Sequence, residues 1–530
     1  MRTDQNNWFS YLPYFWKPVV IRMLFLGFSA GLPLLLIFSS LSLWLREAGV
    51  DKSEVTYFSW AALGYSFKFI WAPLVGSMPI PMLTNKLGQR RSWLFLSQVS
   101  IMLSILAMAL TDPANTENGL LTMAIAAVAL GFSSATQDIV IDAYRIESGS
   151  EKIQALMSSM YITGYRVGLI IAGAGAIYLA DYLGSSAAEY NYSAWRTSYI
   201  IMSALMCIGL ITTIIIPEPK HQHSIKETLF TYRDHMALLS TFFLAIIGLI
   251  SVFYFSSDLT GLTKDLLEKT LNNNELASIL TEGFRLIVGI AVAYFIARFL
   301  GMVGMTNPRL VDSFYLSPIQ DFFKRYSGRQ ILLLLALISL YRISDIVLGV
   351  ISNVFYSDMG FSKRDIAAVV KTFGLIMALA GGFLGGVIAL RLGILPALFL
   401  GGLLSSLTNL LFMLLASGNP SIEMLYIVIA ADNLSAGIAT AAFVAFLSSL
   451  VNISFTAMQY AIFSSTMTLF PKILGGYSGS MVTSLGYSNF FVVTFILGLP
   501  VLIIIIMLSV DRKFSTKDTS KETEGANTSP

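Results

Sequence analysis

Apolar runs of about twenty residues recur along the chain between 19 and 510, separated by short segments rich in charged, Gly, Pro or Asn residues. An α-helix rises about 1.5 Å per residue, so about twenty apolar residues cross a hydrocarbon core of about 30 Å. The pattern predicts an all-α polytopic membrane protein with about fourteen transmembrane helices. We expect the spans at 19–45, 54–80, 92–111, 119–146, 152–182, 195–216, 236–256, 283–304, 330–357, 365–390, 394–416, 421–450, 454–482 and 487–510.

The spans fall into two blocks of about six, with an extra pair between them. The segment GVDKSEV at 49–55 in the first block echoes GFSKRDI at 360–366 in the second. Chance similarity between apolar blocks is the alternative, but agreement in order and spacing favours duplicated halves with a substrate site between them. The predicted regions are a cytoplasmic N-terminal segment at 1–18, an N-terminal half at 19–216, a central linker with two extra transmembrane helices at 217–328, a C-terminal half at 329–510 and a disordered cytoplasmic tail at 511–530.

Composition and charge narrow the possible functions. Of the 530 residues, 55% are hydrophobic and 12% are charged, whereas water-soluble proteins carry about a quarter charged residues. Lys and Arg are concentrated in the loops that lie inside when the chain starts in the cytoplasm, so both termini are predicted to be cytoplasmic. The net charge is only +3 and the basic residues are dispersed, so we expect no nucleic-acid partner. A single cysteine, Cys207, provides neither a disulfide framework nor a cysteine-based metal site.

Ionisable residues inside the predicted spans are expensive to insert, so each is a candidate for function. The first block carries Lys68, Asp138, Asp142 and Arg166, and the second carries Arg342, Asp345, Lys371, Asp432 and Lys472. The slight excess of bases suits a substrate with carboxylate or phosphate groups.

The spacing of these charges suggests different roles. Asp138 and Asp142 share a helix face with Arg145, and we interpret Asp142 with Arg145 as an ion pair that holds the helix end. Asp138 lies deeper, next to Gln137, and is the favoured proton site. Arg342 and Asp345 could form a self-contained pair or contact substrate, and Lys371 could bind substrate or extend its amine to the membrane surface.

The remaining candidates follow from residue types in or near the spans. All three histidines lie in or beside the loop after the sixth span, so proton transfer would depend on Asp138, Asp345 or Asp432. Tyr65 and Tyr161 could stack on a sugar ring or simply face lipid and neighbouring helices. No zinc-protease, esterase or ATP-binding motif is found, so we expect neither an enzyme nor an ATP-driven pump, and no cofactor beyond a proton gradient.

Several short motifs, taken together and in order, resemble one family. They are LGFSAGLP at 26–33, FKFIWAP at 67–73, QDIVIDA at 137–143, GYRVG at 164–168, KT at 371–372 and FVAF at 443–446. They resemble the AmpG muropeptide permease family of the major facilitator superfamily. The resemblance implies proton-driven import, across the bacterial inner membrane, of N-acetylglucosamine joined to anhydro-N-acetylmuramic acid, with or without a stem peptide. It also implies alternating access, a role in peptidoglycan recycling and, in some bacteria, in β-lactamase induction.

The resemblance and the charges together give one set of candidate residues. Gly76 and Ser77 stand where the family commonly has Asp-Arg, while Arg90, Arg91 and Arg391 are retained. The candidates are Asp138, Asp345 and Asp432 for proton coupling; Lys68, Tyr65, Gln137, Tyr161, Arg166, Arg342, Lys371 and Lys472 for substrate binding; and Asp142, Arg145, Arg90, Arg91 and Arg391 for gating or structural charge pairs. We expect a monomer that binds a small glycan-peptide and protons in the lipid bilayer. The alternatives are a transporter of another large anionic solute, such as a peptide, sugar or acyl-coenzyme A, and a non-transporting membrane sensor whose buried charges are structural.

Overall fold

The computed structural model describes residues 13–51, 55, 58, 61, 63–114, 118–150, 153–186, 189–219, 232–271, 274–418 and 421–511. Every regular element within these ranges is a helix, which confirms the all-α prediction. The chain separates into two compact units. One unit combines the residues up to 221 with those from 326 onward, and the other comprises 222–325. The predicted tail after 511 lies outside the described residues.

The helices before residue 222 make up the first half of the larger unit. They are α1 (Pro18–Ile37), α2 (Ser39–Glu47), α3 (Leu63–Phe67), α4 (Ala72–Ser77), α5 (Leu83–Leu87), α6 (Gln89–Ala109), α7 (Gly119–Ser148), α8 (Gln154–Ile170), α9 (Ala176–Tyr182), α10 (Tyr192–Leu205) and α11 (Cys207–Ile215).

The central unit and the second half follow. The central helices are α12 (Tyr232–Phe255), α13 (Ser257–Leu271), α14 (Asn274–Met302), α15 (Pro308–Val311) and α16 (Ser317–Arg325). Those of the second half are α17 (Gly328–Leu340), α18 (Ile343–Asp358), α19 (Lys363–Asp365), α20 (Gly374–Leu392), α21 (Ile394–Ser417), α22 (Ile422–Ser449), α23 (Thr456–Gly475) and α24 (Ser478–Val510).

Twelve helical segments in the described ranges are long and apolar enough to cross a membrane, and each coincides with a predicted span. The two other predicted spans are less regular or less apolar. The span at 54–80 is divided into α3, a 3₁₀ turn at Lys68–Ile70 and α4, whose first turn contains Pro73. Proline lacks a backbone N–H and starts a helix more readily than it continues one, which explains the break after Lys68. The span at 454–482 contains α23.

Corresponding glycines in the two halves adopt the same backbone conformation. Gly49 and Gly360, which align in the sequence echo, both have φ of 85°. Gly88, just before α6, has φ of 91°, and Gly393, just before α21, has φ of 92°. Only glycine adopts this region without strain, so the two halves turn between helices in the same way.

The α1 and α8 helices make the closest backbone contact in the first half. A Cβ atom added to Gly27 would lie 2.1 Å from the carbonyl oxygen of Tyr161, and one on Gly164 would lie 1.9 Å from that of Leu24. Gly31 and Gly168 make equivalent contacts farther along the same helices. Small residues at this spacing let two membrane helices touch through their backbones, so α8 is held firmly against α1.

The two halves meet along α8, which packs on α20 and α22, and along α7, which packs on α23. Gly386 of α20 lies opposite Ala155 and Ser159 of α8, and Gly76 faces the side chain of Ala457 in α23. These residues lie near the connection between α7 and α8, at the end of the molecule that the charge pattern assigns to the cytoplasm. We call this the inner end, and the contact between the halves there the inner seam.

The central unit is built around the paired helices α12 and α14. The Thr241 hydroxyl is hydrogen-bonded to that of Thr306, and Arg285 donates hydrogen bonds to Ser256 Oγ and the carbonyl of Phe253. Few side chains in the apolar parts of these two helices are buried, 11% in α12 and 6% in α14, as expected for surfaces that face lipid.

Candidate functional site

Two carboxylates and two cations form a compact cluster in the first half. Asp138 and Asp142 lie one turn apart on α7, where helical geometry places them on the same face. Lys68 Nζ lies 3.7 Å from Asp142 Oδ2, and an Arg145 terminal nitrogen lies 3.3 Å from Asp142 Oδ1. All four side chains are buried, with exposed fractions of 6% for Lys68, 9% for Asp138, 8% for Asp142 and 0% for Arg145. We call these four residues the charge cluster.

Asp138 has a different environment from Asp142. The Tyr161 hydroxyl lies 3.4 Å from Asp138 Oδ1, and this neutral phenol is its hydrogen-bond partner among the described residues. The neighbouring Gln137 donates from Nε2 to the Ser29 carbonyl at 3.1 Å, while its Oε1 is buried without a partner in the described part of the chain. Tyr65 donates to Ser134 Oγ at 2.6 Å. The hydrogen-bond partner of Asp138 is therefore uncharged, whereas Asp142 lies between two cations.

Arg145 crosses from the first half to the second. It donates to Ser448 Oγ of α22 at 2.7 Å, and its guanidinium carbon lies 5.2 Å from the ring centre of Tyr460 in α23. The same group contacts Ser158 Oγ at 3.1 Å and Gln154 Oε1 at 3.4 Å within its own half. The sequence correctly suggested a pair with Asp142, but the structure also places this arginine in the inner seam.

A second set of charges closes the inner seam. Arg90 holds Glu147 through contacts of 2.7 and 2.9 Å, and it donates to Thr456 Oγ1 at 3.2 Å. Thr456, at the start of α23, also donates a hydrogen bond to Glu147. A carboxylate held by an arginine thus reaches the second half. Arg91 instead donates to the carbonyls of Thr213 and Ile214, at 3.0 and 2.6 Å.

Candidate charges of the second half are grouped around α18. Arg342 Nε lies 3.4 Å from Asp345 Oδ2, and Arg342 also donates to Thr440 of α22. Ser405 donates a hydrogen bond to Asp345, and Thr408 lies 3.5 Å from Asp432 Oδ1. The predicted pairing of Arg342 with Asp345 therefore exists, although both side chains remain partly exposed.

Arg166 has no counterion among the described residues. It projects from α8, is partly exposed, and has no hydrogen-bond or ion-pair partner among the described residues. Its charge interacts unfavourably with that of Arg342 in the other half. Two arginines from opposite halves thus lie within electrostatic reach, an arrangement that favours an anion between them.

Two further candidates lie apart from these groups, and the side chain of a third lies outside the described residues. Lys371 is exposed and donates to Asn353 Oδ1 at 3.1 Å. Arg391 lies in the last turn of α20, near the inner end. Lys472 belongs to α23, but its side chain lies outside the described residues. In the described ranges, no group of three His, Cys, Asp or Glu side chains is placed to hold a metal ion.

Glu147, Ser448, Thr456 and Tyr460 belong to the site and were missed by the sequence analysis. Glu147 follows the predicted end of its span by one residue, so it was assigned to a loop, yet it is only 7% exposed. The other three are common, uncharged residue types, and no spacing rule links them to α7. Only the packing of the two halves brings them to Arg145 and Glu147.

Comparison with known proteins identifies the family of this chain. The Major Facilitator Superfamily model matches residues 23–324 and 331–530, so the chain is a multi-pass membrane transporter of that superfamily and not an enzyme. It is 30% identical over 490 residues to the putative transporter AmpG 4 of Rickettsia felis, covering 92% of this chain and 96% of the relative. It is 26% identical over 499 residues to the anhydromuropeptide permease of Escherichia coli K12, covering 94% and 81%. Within the superfamily, the chain belongs to the AmpG-type permeases.

Solved structures support the fold at lower sequence identity. A structure of the Escherichia coli fucose:proton symporter FucP matches with a TM-score of 0.55 at 11% identity, covering 94% of this chain and 99% of the other. The proton:xylose symporter XylE matches with a TM-score of 0.53 at 12% identity, covering 92% and 94%. These values confirm the major facilitator fold predicted from the sequence.

Proposed function

We propose that this permease imports cell-wall muropeptides, N-acetylglucosamine joined to anhydro-N-acetylmuramic acid with or without a stem peptide, by proton symport. It acts as a monomer in the bacterial inner membrane, with both termini in the cytoplasm, and serves peptidoglycan recycling and the signalling that induces β-lactamase. The similarity to the anhydromuropeptide permease of Escherichia coli, which extends over most of both chains, supports the substrate class. The transporter family favours this function over the sensor alternative.

The observation that carries the proposal is the unequal surroundings of Asp138 and Asp142. Asp142 lies between Lys68 and Arg145, at 3.7 and 3.3 Å, so its carboxylate is engaged in two ion pairs. Asp138 contacts the neutral Tyr161 hydroxyl, so it is the better-placed carboxylate to gain and lose a proton during transport. Asp345 and Asp432 remain secondary candidates in the second half.

The substrate is bound between the halves by groups of matching chemistry. Arg166 and Arg342, whose charges interact unfavourably across the two halves, bind the carboxylates of the muramic acid or the stem peptide. Tyr65, Tyr161 and Gln137 belong to the first half and are proposed to offer rings and an amide to the sugars. Lys68, Lys371 and Lys472 complete the proposed set of basic groups.

Uptake into proteoliposomes tests this function. Labelled anhydro-disaccharide, with and without its peptide, would be measured with and without an inward proton gradient. Asp138→Asn removes the proposed proton site, and Asp181→Asn, an exposed carboxylate of the same half, serves as the matched control.

We expect gradient-dependent uptake that Asp138→Asn abolishes and Asp181→Asn leaves unchanged. Equal uptake with and without a gradient would refute proton coupling. If the folded protein takes up no muropeptide but does take up another large anion, such as an acyl-coenzyme A, the proposed substrate class is wrong and that anion takes its place.

A further inference from the structure

Arg145 belongs to both the charge cluster and the inner seam. One of its terminal nitrogens lies 3.3 Å from Asp142 and the other lies 2.7 Å from Ser448 of the second half. Its guanidinium is completely buried, and its Nε atom has no hydrogen-bond partner in the described part of the chain. A buried cation is stable only while its charge is compensated nearby.

The compensation comes from within the first half. On the second half, Arg145 contacts a hydroxyl and an aromatic ring, Ser448 and Tyr460, and neither carries a negative charge. The negative charge that balances Arg145 is on Asp142, which Lys68 shares at 3.7 Å. The stability of the inner seam at this point therefore depends on the charge of the cluster.

With both carboxylates ionised, Asp138 and Asp142 balance Lys68 and Arg145, and the cluster is neutral. Among the described residues, the other ionisable side chains that face the two carboxylates are uncharged phenols, contributed by α3, α8 and α23. They are Tyr65, Tyr161, Tyr165 and Tyr460. When Asp138 is protonated, Lys68 and Arg145 share the single negative charge of Asp142. The cluster then has one uncompensated positive charge, and that charge is buried.

We propose that Arg145 is the positioning residue that couples the proton on Asp138 to the inner seam. The inference rests on the proposed proton symport. When Asp138 takes up a proton from the outside, the ion pair between Lys68 and Asp142 becomes stronger. Arg145 then loses its contacts with Ser448 and Tyr460 and becomes hydrated. The inner end then opens, and loss of the proton to the cytoplasm restores the neutral cluster and the closed seam. This order matches the direction required for import.

Opening of the inner end can be followed by pulsed electron paramagnetic resonance without any substrate. Spin labels at Asn85→Cys and Leu392→Cys place one exposed reporter at the inner end of each half, in a Cys207→Ser background that removes the native cysteine. The ratio of open to closed molecules is measured from acidic to alkaline pH in the full-length protein.

The wild-type ratio is expected to rise as the pH falls. Asp138→Asn should open the inner end at every pH, and Arg145→Gln should do the same. A hydrogen bond to a charged group contributes about 1.5–3 kcal/mol, which corresponds to a roughly tenfold to hundredfold increase in the ratio at alkaline pH. Arg145→Lys should keep part of the pH response, because it retains the charge.

Thr456→Ala is the matched control, because it removes a contact across the same seam that does not touch the charge cluster. It should raise the open fraction but leave the pH response intact. If Arg145→Gln fails to fold, Arg145→Lys takes its place, and its pH response should be smaller than that of the wild type, whereas that of Thr456→Ala should not be.

The outcomes separate this inference from the proposed function. A wild-type pH response retained in Arg145→Gln, or lost equally in Thr456→Ala, overturns the role of Arg145. A flat response in the wild type overturns both this role and proton symport. If the pH response disappears in Arg145→Gln but the wild-type protein does not take up muropeptides, the role of Arg145 is supported and the proposed substrate is wrong.

Discussion

Replacing Gly164 by Ala should destabilise the protein, because the new methyl group would meet the backbone of α1. A Cβ atom at this position would lie 1.9 Å from the carbonyl oxygen of Leu24 and 2.8 Å from the backbone nitrogen of Phe28. Ordinary contact begins near 3.4 Å, so the helices would have to separate by about 1.5 Å. Backbone atoms of a packed helix cannot turn aside as a flexible side chain can.

The net effect of Gly164→Ala can be estimated by comparing two opposing terms. Overpacking of this severity costs about 3 kcal/mol, the upper end of its usual range. Alanine gains about 1 kcal/mol over glycine within a helix, so a net loss of about 2 kcal/mol remains. The shift would also move Tyr161, three residues earlier on α8, whose hydroxyl lies 3.4 Å from Asp138. We therefore expect reduced uptake as well as reduced stability.

Gly349→Ala is the matched control, because a Cβ atom there would have no heavy atom within 4 Å. This change should be neutral or gain up to about 1 kcal/mol. Both variants would be heated at one rate in detergent, and apparent melting temperatures would be read from tryptophan fluorescence. A lower melting temperature for Gly164→Ala and an equal or higher one for Gly349→Ala is expected. An unchanged Gly164→Ala would refute the close backbone contact.

Two further substitutions test the charges at the inner seam and between the halves. Arg90→Gln leaves the buried Glu147 without its cation, which typically costs about 3–5 kcal/mol of folding stability. Its apparent melting temperature should therefore fall well below that of the exposed control Arg196→Gln. Equal melting temperatures for the two variants would contradict the buried pair. Arg166→Gln should raise KM for a muropeptide by roughly tenfold or more, since a charged hydrogen bond contributes about 1.5–3 kcal/mol. Proteoliposome kinetics in which Arg166→Gln and Arg196→Gln have the same KM would argue against an anion site.

The sequence predicted most of the fold, because a membrane imposes a length and an apolar character on every span. The twelve segments that are long and apolar enough to cross a membrane were predicted within a few residues of their ends, apart from the starts of α14 and α24. These helices begin at Asn274 and Ser478, each nine residues before the predicted 283 and 487. The break at Lys68 was not predicted, although Pro73 offered a signal for it. Hydropathy averages over a window and does not register where hydrogen bonding changes within an apolar run.

The candidate site could be predicted only where its members lie on one helix. The spacing of Asp142 and Arg145 indicated their pair, and that of Arg342 and Asp345 indicated the second, because residues three apart share a helix face. The link from Arg145 to Ser448 joins positions 303 apart in the chain. No local rule connects them, since the contact depends on how the two halves pack.

The central unit has two helices long enough to cross the membrane, and this even number constrains how the protein can have evolved. An even number of crossings returns the chain to the side it left, so the second half enters the bilayer in the orientation it would have without α12 and α14. A single added crossing would invert that half and carry Ser448 to the face opposite Arg145. Such helices can therefore be gained or lost only in pairs.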